Sequence, residues 1–171
     1  MPRESGEAFM TMNTRIRNID FELPSTDGHF QELSKRLVES PVLLIFFKHD
    51  CPTCEFTLPY LERIYSRYGD SKAAFWAIAQ DTESEAARFS EEHGISYEVL
   101  LDRKPYEVSR KFDINIVPTV VLLDRDGSEI SRFAGFQKAE LEKLNYILAG
   151  LDNGTKPLFT ASDDVPAVKP G

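Results

Sequence analysis

The chain has 171 residues, 42% hydrophobic and 28% charged, which suits one globular domain able to close its own core. Twenty Lys and Arg against 28 Asp and Glu leave a formal charge of -8, which argues against nucleic acid or an anionic membrane as a partner. The two cysteines, Cys51 and Cys54, exclude a multi-bridge disulfide scaffold and a four-cysteine zinc site built from this chain alone.

Residues 1–17 are polar and mixed in charge, with no apolar stretch of the length of a secretion signal or membrane span. They read as a flexible lead-in, and the chain is expected to be cytoplasmic; export is the alternative if a leader had been cut away. Asp20 to Leu23 suits a short strand, Asp27-Gly28 a turn and His29-Phe30 a return, so an N-terminal β-hairpin is expected. Leu33 to Val38 suits a short helix. Val42 to Phe47 runs apolar without alternation, the pattern of a central parallel strand covered on both faces.

From Pro52 to Tyr68, Cys54, Leu58, Leu61, Tyr65 and Tyr68 fall on one helical stripe, and Gly69 supplies a stop. A second apolar run, Ala73 to Ala79, precedes an alanine-rich charged helix from Glu83 to His93. Tyr97 to Leu101 reads as a strand, and Pro105 opens a helix running to about Phe112. Thr119 to Leu123 and Ser128 to Ala134, joined by Asp124-Arg125-Asp126-Gly127, suit an antiparallel hairpin. Gln137 to Ala149 follows as a helix with Leu141, Leu144 and Leu148 on one face. The far end, from Asp152 to Gly171, has three prolines and no helical period, so residues 151–171 are expected to wrap the surface or stay disordered as a Pro-rich tail. The pattern is α/β, with one domain over 18–150.

A bare C-x-x-C is a weak signal, but here it follows a buried strand and opens a helix. Cys51 is expected at the helix N-terminus, where unpaired N–H groups and the helix dipole stabilise an anion. Such sites bring a thiol of pKa about 8.5 to roughly 3.5–7.5 and so raise the share of the nucleophilic thiolate. Cys54, one turn inward, is expected to be more buried and suited to resolving a mixed disulfide.

The strand VLLIFF running into CPTC, Pro59 within the following helix, the segment IVPT and the hairpin sequence LLDRDG together resemble the thioredoxin fold. The closest resemblance is to thiol-disulfide oxidoreductases of the TlpA and ResA type in the redoxin group. It implies a central mixed sheet flanked by helices, with Ala73 to Leu101 as an inserted strand-helix unit. It further implies a cis Pro118, with Val117 facing Cys51 and offering backbone hydrogen bonds to an incoming chain.

Two departures stand out. The residue before the first cysteine, commonly tryptophan in this group, is Asp50, and the buried aspartate of thioredoxin is replaced by Ile45. Lys48 and His49 favour a Cys51 thiolate and Asp50 opposes it. His49 is a candidate for tuning or protonating the dithiol, and Asp81 is preferred over Glu83 as the acidic counterpart that ResA-like proteins place on the inserted segment. A helix N-cap at Asp81 with a first-turn Glu83 is the structural alternative. Thr53 is a first-turn residue able to bond near the thiolate.

The resemblance implies an enzyme, a protein-disulfide reductase in which Cys51 attacks a substrate disulfide and Cys54 resolves the mixed disulfide. No cofactor beyond the redox-active pair and no metal is expected. The partners are a disulfide-bearing protein and an external thiol reductant, and the chain is expected to be a monomer or weak dimer. A redoxin-type peroxidase is one alternative, although the run before Cys51 lacks the proline and threonine that peroxiredoxins carry there. A non-catalytic redox-sensing binding module is the other.

Overall fold

The computed structural model describes residues 19–150 and 156–171. The expected lead-in over 1–17 lies outside the described residues, as do residues 151–155 at the start of the tail. The chain opens with the expected hairpin, β1 (Glu22–Pro24) and β2 (Phe30–Glu32), where Gly28 takes the positive φ that the turn requires. There follow α1 (Leu33–Glu39), β3 (Val42–Phe47), α2 (Pro52–Tyr68), β4 (Ala74–Ala79), α3 (Glu83–Glu92) and β5 (Glu98–Leu101). The second half holds α4 (Glu107–Lys111), β6 (Thr119–Leu123), β7 (Glu129–Ala134), β8 (Phe136–Gln137), α5 (Lys138–Ala149) and β9 (Val168–Lys169).

Strands β5-β4-β3-β6-β7 form the central sheet. β3 runs parallel to β4 and β4 to β5, whereas β6 is antiparallel to both β3 and β7. The unbroken apolar run of β3 follows from burial of both faces. Leu43, Ile45 and Phe47 pack with Cys54, Leu58 and Leu61 of α2 and with Leu141 and Leu144 of α5. Val42, Leu44 and Phe46 face the other way, into a cluster with Leu33, Leu37, Trp76 and Phe112. Each such side chain contributes roughly 1.5–3 kcal/mol on burial, so the sheet that carries the cysteine turn is held from two sides. Pro59 is accommodated inside α2, and the carbonyl left without its N–H partner belongs to exposed Glu55, within reach of water.

The helix expected from Pro105 to Phe112 is shorter than its sequence suggested. Tyr106 sits at φ 59°, a left-handed conformation that does not continue a helix, so α4 begins only at Glu107. Buried Asp102 compensates by accepting from Val108 N–H at 3.3 Å, Ser109 N–H at 2.8 Å and Ser109 Oγ at 2.7 Å. The sequence pattern does not show this support, because the acceptor lies before the helix rather than at its cap position.

From Lys156 onward the tail lies on the domain. Leu158 and Phe159 are buried against Tyr60 and Phe136, and both their N–H groups donate to the Glu142 carboxylate, at 3.0 and 2.8 Å. Arg63 pairs with Asp163 at 3.0 Å, and β9 adds to β8 as a two-residue antiparallel ladder.

Candidate active site

Cys51 is the N-cap of α2, with extended backbone at φ -111° and ψ 107°, and its Sγ accepts the Cys54 N–H at 3.1 Å. A sulfur thus takes the place of the oxygen that usually satisfies an orphan amide at a helix start. Pro52 occupies the first helical position, where its missing N–H costs nothing. The Cys51 S–H donates to the Val117 carbonyl at 3.5 Å, and the Val117–Pro118 peptide is cis. β3 ends beside the start of β6, with Phe46 opposite Thr119, so the antiparallel register delivers Val117 to the cysteine turn.

Cys54 is fully buried among Ile45, Leu58 and their neighbours, and both cysteines are free thiols. Burial pushes the Cys54 thiol far above its ordinary range, reinforced by its contact with Cys51, while a hydrogen bond from the Lys48 backbone acts the other way. The half-buried Cys51 and the sealed Cys54 are chemically unequal: the first retains surface exposure and the second holds its proton.

His49 and Asp81, distant in sequence, meet at the lip. The His49 N–H donates to one Asp81 oxygen at 2.9 Å, and His49 Nδ1 lies 2.7 Å from the other. That carboxylate holds the imidazole pKa above its ordinary value, with Glu85 and Asp50 adding smaller contributions. Asp81 does not cap α3. Thr82 does, in a reciprocal capping box with Glu85, while Glu83 faces outward toward Arg103 at 3.9 Å. The negative charge of Asp81 is also the smallest of the causes that raise the Cys54 thiol.

His49, Asp50 and Asp81 bring possible metal-ligating atoms within 4.8 Å of one another. Both Asp81 oxygens are already engaged by His49, so the group reads as a hydrogen-bonded dyad with a neighbouring acid rather than as a prepared cation site. Thr53 contributes in a way its position alone did not reveal: its hydroxyl donates to the Pro170 carbonyl, at 2.6 Å, in the distant tail. Neither this contact nor the proximity of Gly171 to Val117 has a local signal, because the partners are more than fifty residues apart in sequence.

The sequence profile of the AhpC/TSA family matches residues 17–128. Among curated relatives, the thiol-disulfide oxidoreductase ResA of Halalkalibacterium halodurans is 28% identical over 118 residues, covering 68% of this chain and 66% of the relative. The chain therefore spans just under two thirds of that relative's length. Among solved structures, a protein assigned as the thiol:disulfide interchange protein DsbE of Chlorobium tepidum is 27% identical, with a TM-score of 0.67, over 78% of this chain and 94% of that one. A secreted disulfide oxidoreductase of Mycobacterium tuberculosis shares the fold at 18% identity and a TM-score of 0.65, over 81% and 99% of the two chains.

These relatives correct the expected cytoplasmic location. The mycobacterial protein is secreted by its own description. The physical reason for the error is that the folded domain has the same core in either compartment, and composition alone does not report an address. No described helix is long and apolar enough to cross a membrane.

Proposed function

The chain belongs to the AhpC/TSA family and carries the thioredoxin-fold cysteine pair of its ResA- and DsbE-like redoxins, and from this premise we propose that it reduces disulfides in client proteins. The observation that carries the reading is the juxtaposition of Cys51 Sγ with the Val117 carbonyl across a 3.5 Å gap, ahead of Pro118. A client backbone held at Val117 would bring its disulfide to the one half-open sulfur of the pair.

In the first step the Cys51 thiolate attacks one client sulfur, forming an intermolecular S–S bond and releasing the other client sulfur as a thiolate. In the second, Cys54 loses its proton and attacks Cys51, closing the Cys51–Cys54 disulfide and releasing the second client thiolate. The client gains two electrons, and an external dithiol returns the pair to its reduced form. His49 and Asp81 form the proton path for the second step, which must take a proton from a sealed thiol.

Insulin reduction with a recycling dithiol, together with trapping by Cys54→Ser, tests the reading. The expected result is catalytic turnover by the native chain and a stable Cys51-linked adduct with the variant; absence of both would sink it. A peroxidase is the second reading, favoured by the AhpC/TSA match itself. Thiol-dependent consumption of hydrogen peroxide that outruns insulin reduction would establish it in place of the first.

A further inference from the structure

The last residues of the tail lie across the approach to Cys51. Lys138 N–H donates to Ala167 O at 2.9 Å, and Val168 and Lys169 then pair with Gln137 and Phe136. Gly135 lies directly beneath: a Cβ placed there would come within 2.7 Å of the Lys169 carbonyl, so the missing side chain is what lets the tail lie close. The Lys169 ammonium sits over the Phe56 ring at 4.6 Å. Pro170 O accepts from Thr53, inside the CPTC turn. A Cβ on Gly171 would lie 2.5 Å from the Val117 oxygen, the same oxygen that Cys51 addresses. Residues 170 and 171 thus bridge the two sides of the site, touching Thr53 on one and Val117 on the other.

Two parts of the tail are held very differently. Residues 156–163 are anchored by buried Leu158 and Phe159 and by the Arg63–Asp163 pair. Residues 166–168, 170 and 171 are exposed, and the strap they belong to is held by a two-residue ladder and a few polar contacts. Such a segment opens at low cost, while its anchor keeps it at high effective concentration.

We propose that residues 167–171 are an internal occupant of the client-binding strip, displaced when an extended, disulfide-bearing polypeptide binds beside Cys51. This rests on Cys51 being the attacking thiol of the oxidoreductase proposed above. The strap contains no cysteine and cannot react; its main chain pairs with Phe136 and Gln137, accepts from the Thr53 hydroxyl and lies close against Val117. The matching client is an extended chain recognised through its main chain, a form of strand addition. Docked strap lowers the fraction of binding-competent protein and weakens apparent client affinity in proportion.

The test compares the native chain with a deletion of residues 167–171, which spares the buried anchor, and with full-length Gly171→Val, whose side chain would collide with Val117 O. Alkylation of reduced Cys51 by iodoacetamide, followed by mass spectrometry, reads access without requiring turnover. Both variants should be alkylated about threefold faster or more, with a comparable fall in KM for a peptide disulfide and unchanged melting temperature. Equal or slower alkylation in the variants would overturn the strap even if insulin reduction persists. Faster alkylation without turnover on any disulfide would support the strap and sink the oxidoreductase reading instead.

Discussion

The Asp81 carboxylate accepts from both the ring and the backbone of His49, at 2.7 and 2.9 Å, so one acidic side chain fixes the lip residue in position and orientation. Asp81 is nearly sealed, at 6% side-chain exposure, whereas His49 remains 40% exposed. The proton path proposed for the resolving step runs through this pair, from the sealed carboxylate to the exposed imidazole.

Asp81→Asn should slow the resolving step about a hundredfold, the low end of what a positioned proton acceptor contributes. A purely structural role would lower stability and leave the pH profile alone. Quenched-flow analysis of a peptide disulfide should instead show the Cys51 adduct accumulating, with the loss recovered as pH rises and the Cys54 proton is lost to solvent base.

Stability should also carry the signature of the dyad. The His49 pKa is raised above the 6.5 of a free imidazole by the Asp81 hydrogen bond, so the protonated pair contributes fully below about pH 6.5 and loses its contribution as pH rises through the elevated folded value. Urea unfolding of the native chain and His49→Gln, followed from pH 5.5 to 9, should give a gap that is widest at the acid end. A gap that grows with pH would contradict the assignment.

Thr57 is fully buried on α2, and its hydroxyl has no hydrogen-bond partner among the described residues. Replacing a buried unsatisfied hydroxyl with a methyl group of similar size removes a desolvation cost of about 1–3 kcal/mol. Thr57→Val should accordingly match or exceed the native midpoint in urea, with insulin reduction unchanged; a loss of more than about 1 kcal/mol would reveal a partner for the hydroxyl.

Phe159 fills the space between Tyr60 and Phe136, at ring-centroid distances of 4.9 and 5.9 Å. Phe159→Ala should cost about 3–5 kcal/mol of unfolding free energy, as for aromatic truncation in a core. Calorimetry distinguishes this from a tail lying loosely on the surface, for which the melting temperature would hardly move.

Much of the architecture was legible because it rests on local periodicity. The six apolar residues of β3 and the stripe running from Cys54 to Leu61 report their burial directly, and the CPTC turn follows from a strand giving way to a helix. The cis geometry of Pro118 came from resemblance, not from spacing. What stayed hidden depends on contacts between residues far apart in sequence. The His49–Asp81 dyad joins positions 32 apart, and the strap joins Thr53 to Pro170. Composition marked residues 151–171 as proline-rich but contained no sign that Glu142 would pin Leu158 and Phe159. The helix at α4 was expected to be longer because nothing local announces the left-handed Tyr106, and Asp102 supports the shortened helix from a place that helix-capping rules do not inspect.

The pairing of Phe46 with Thr119 has a consequence for what this protein tolerates as it diverges. Cys51 lies four residues beyond the end of β3 and Val117 two residues before the start of β6, on neighbouring, oppositely directed strands, so their separation depends on strand alignment. Slippage by a single residue would carry Val117 about 3.3 Å along the sheet and turn every side chain of β6 to the wrong layer. Insertions in β3 or β6 should be lethal to chemistry while changes within Pro52-Thr53 merely retune it. Divergence that keeps the Cys51–Val117 juxtaposition is thereby confined to the surfaces around it.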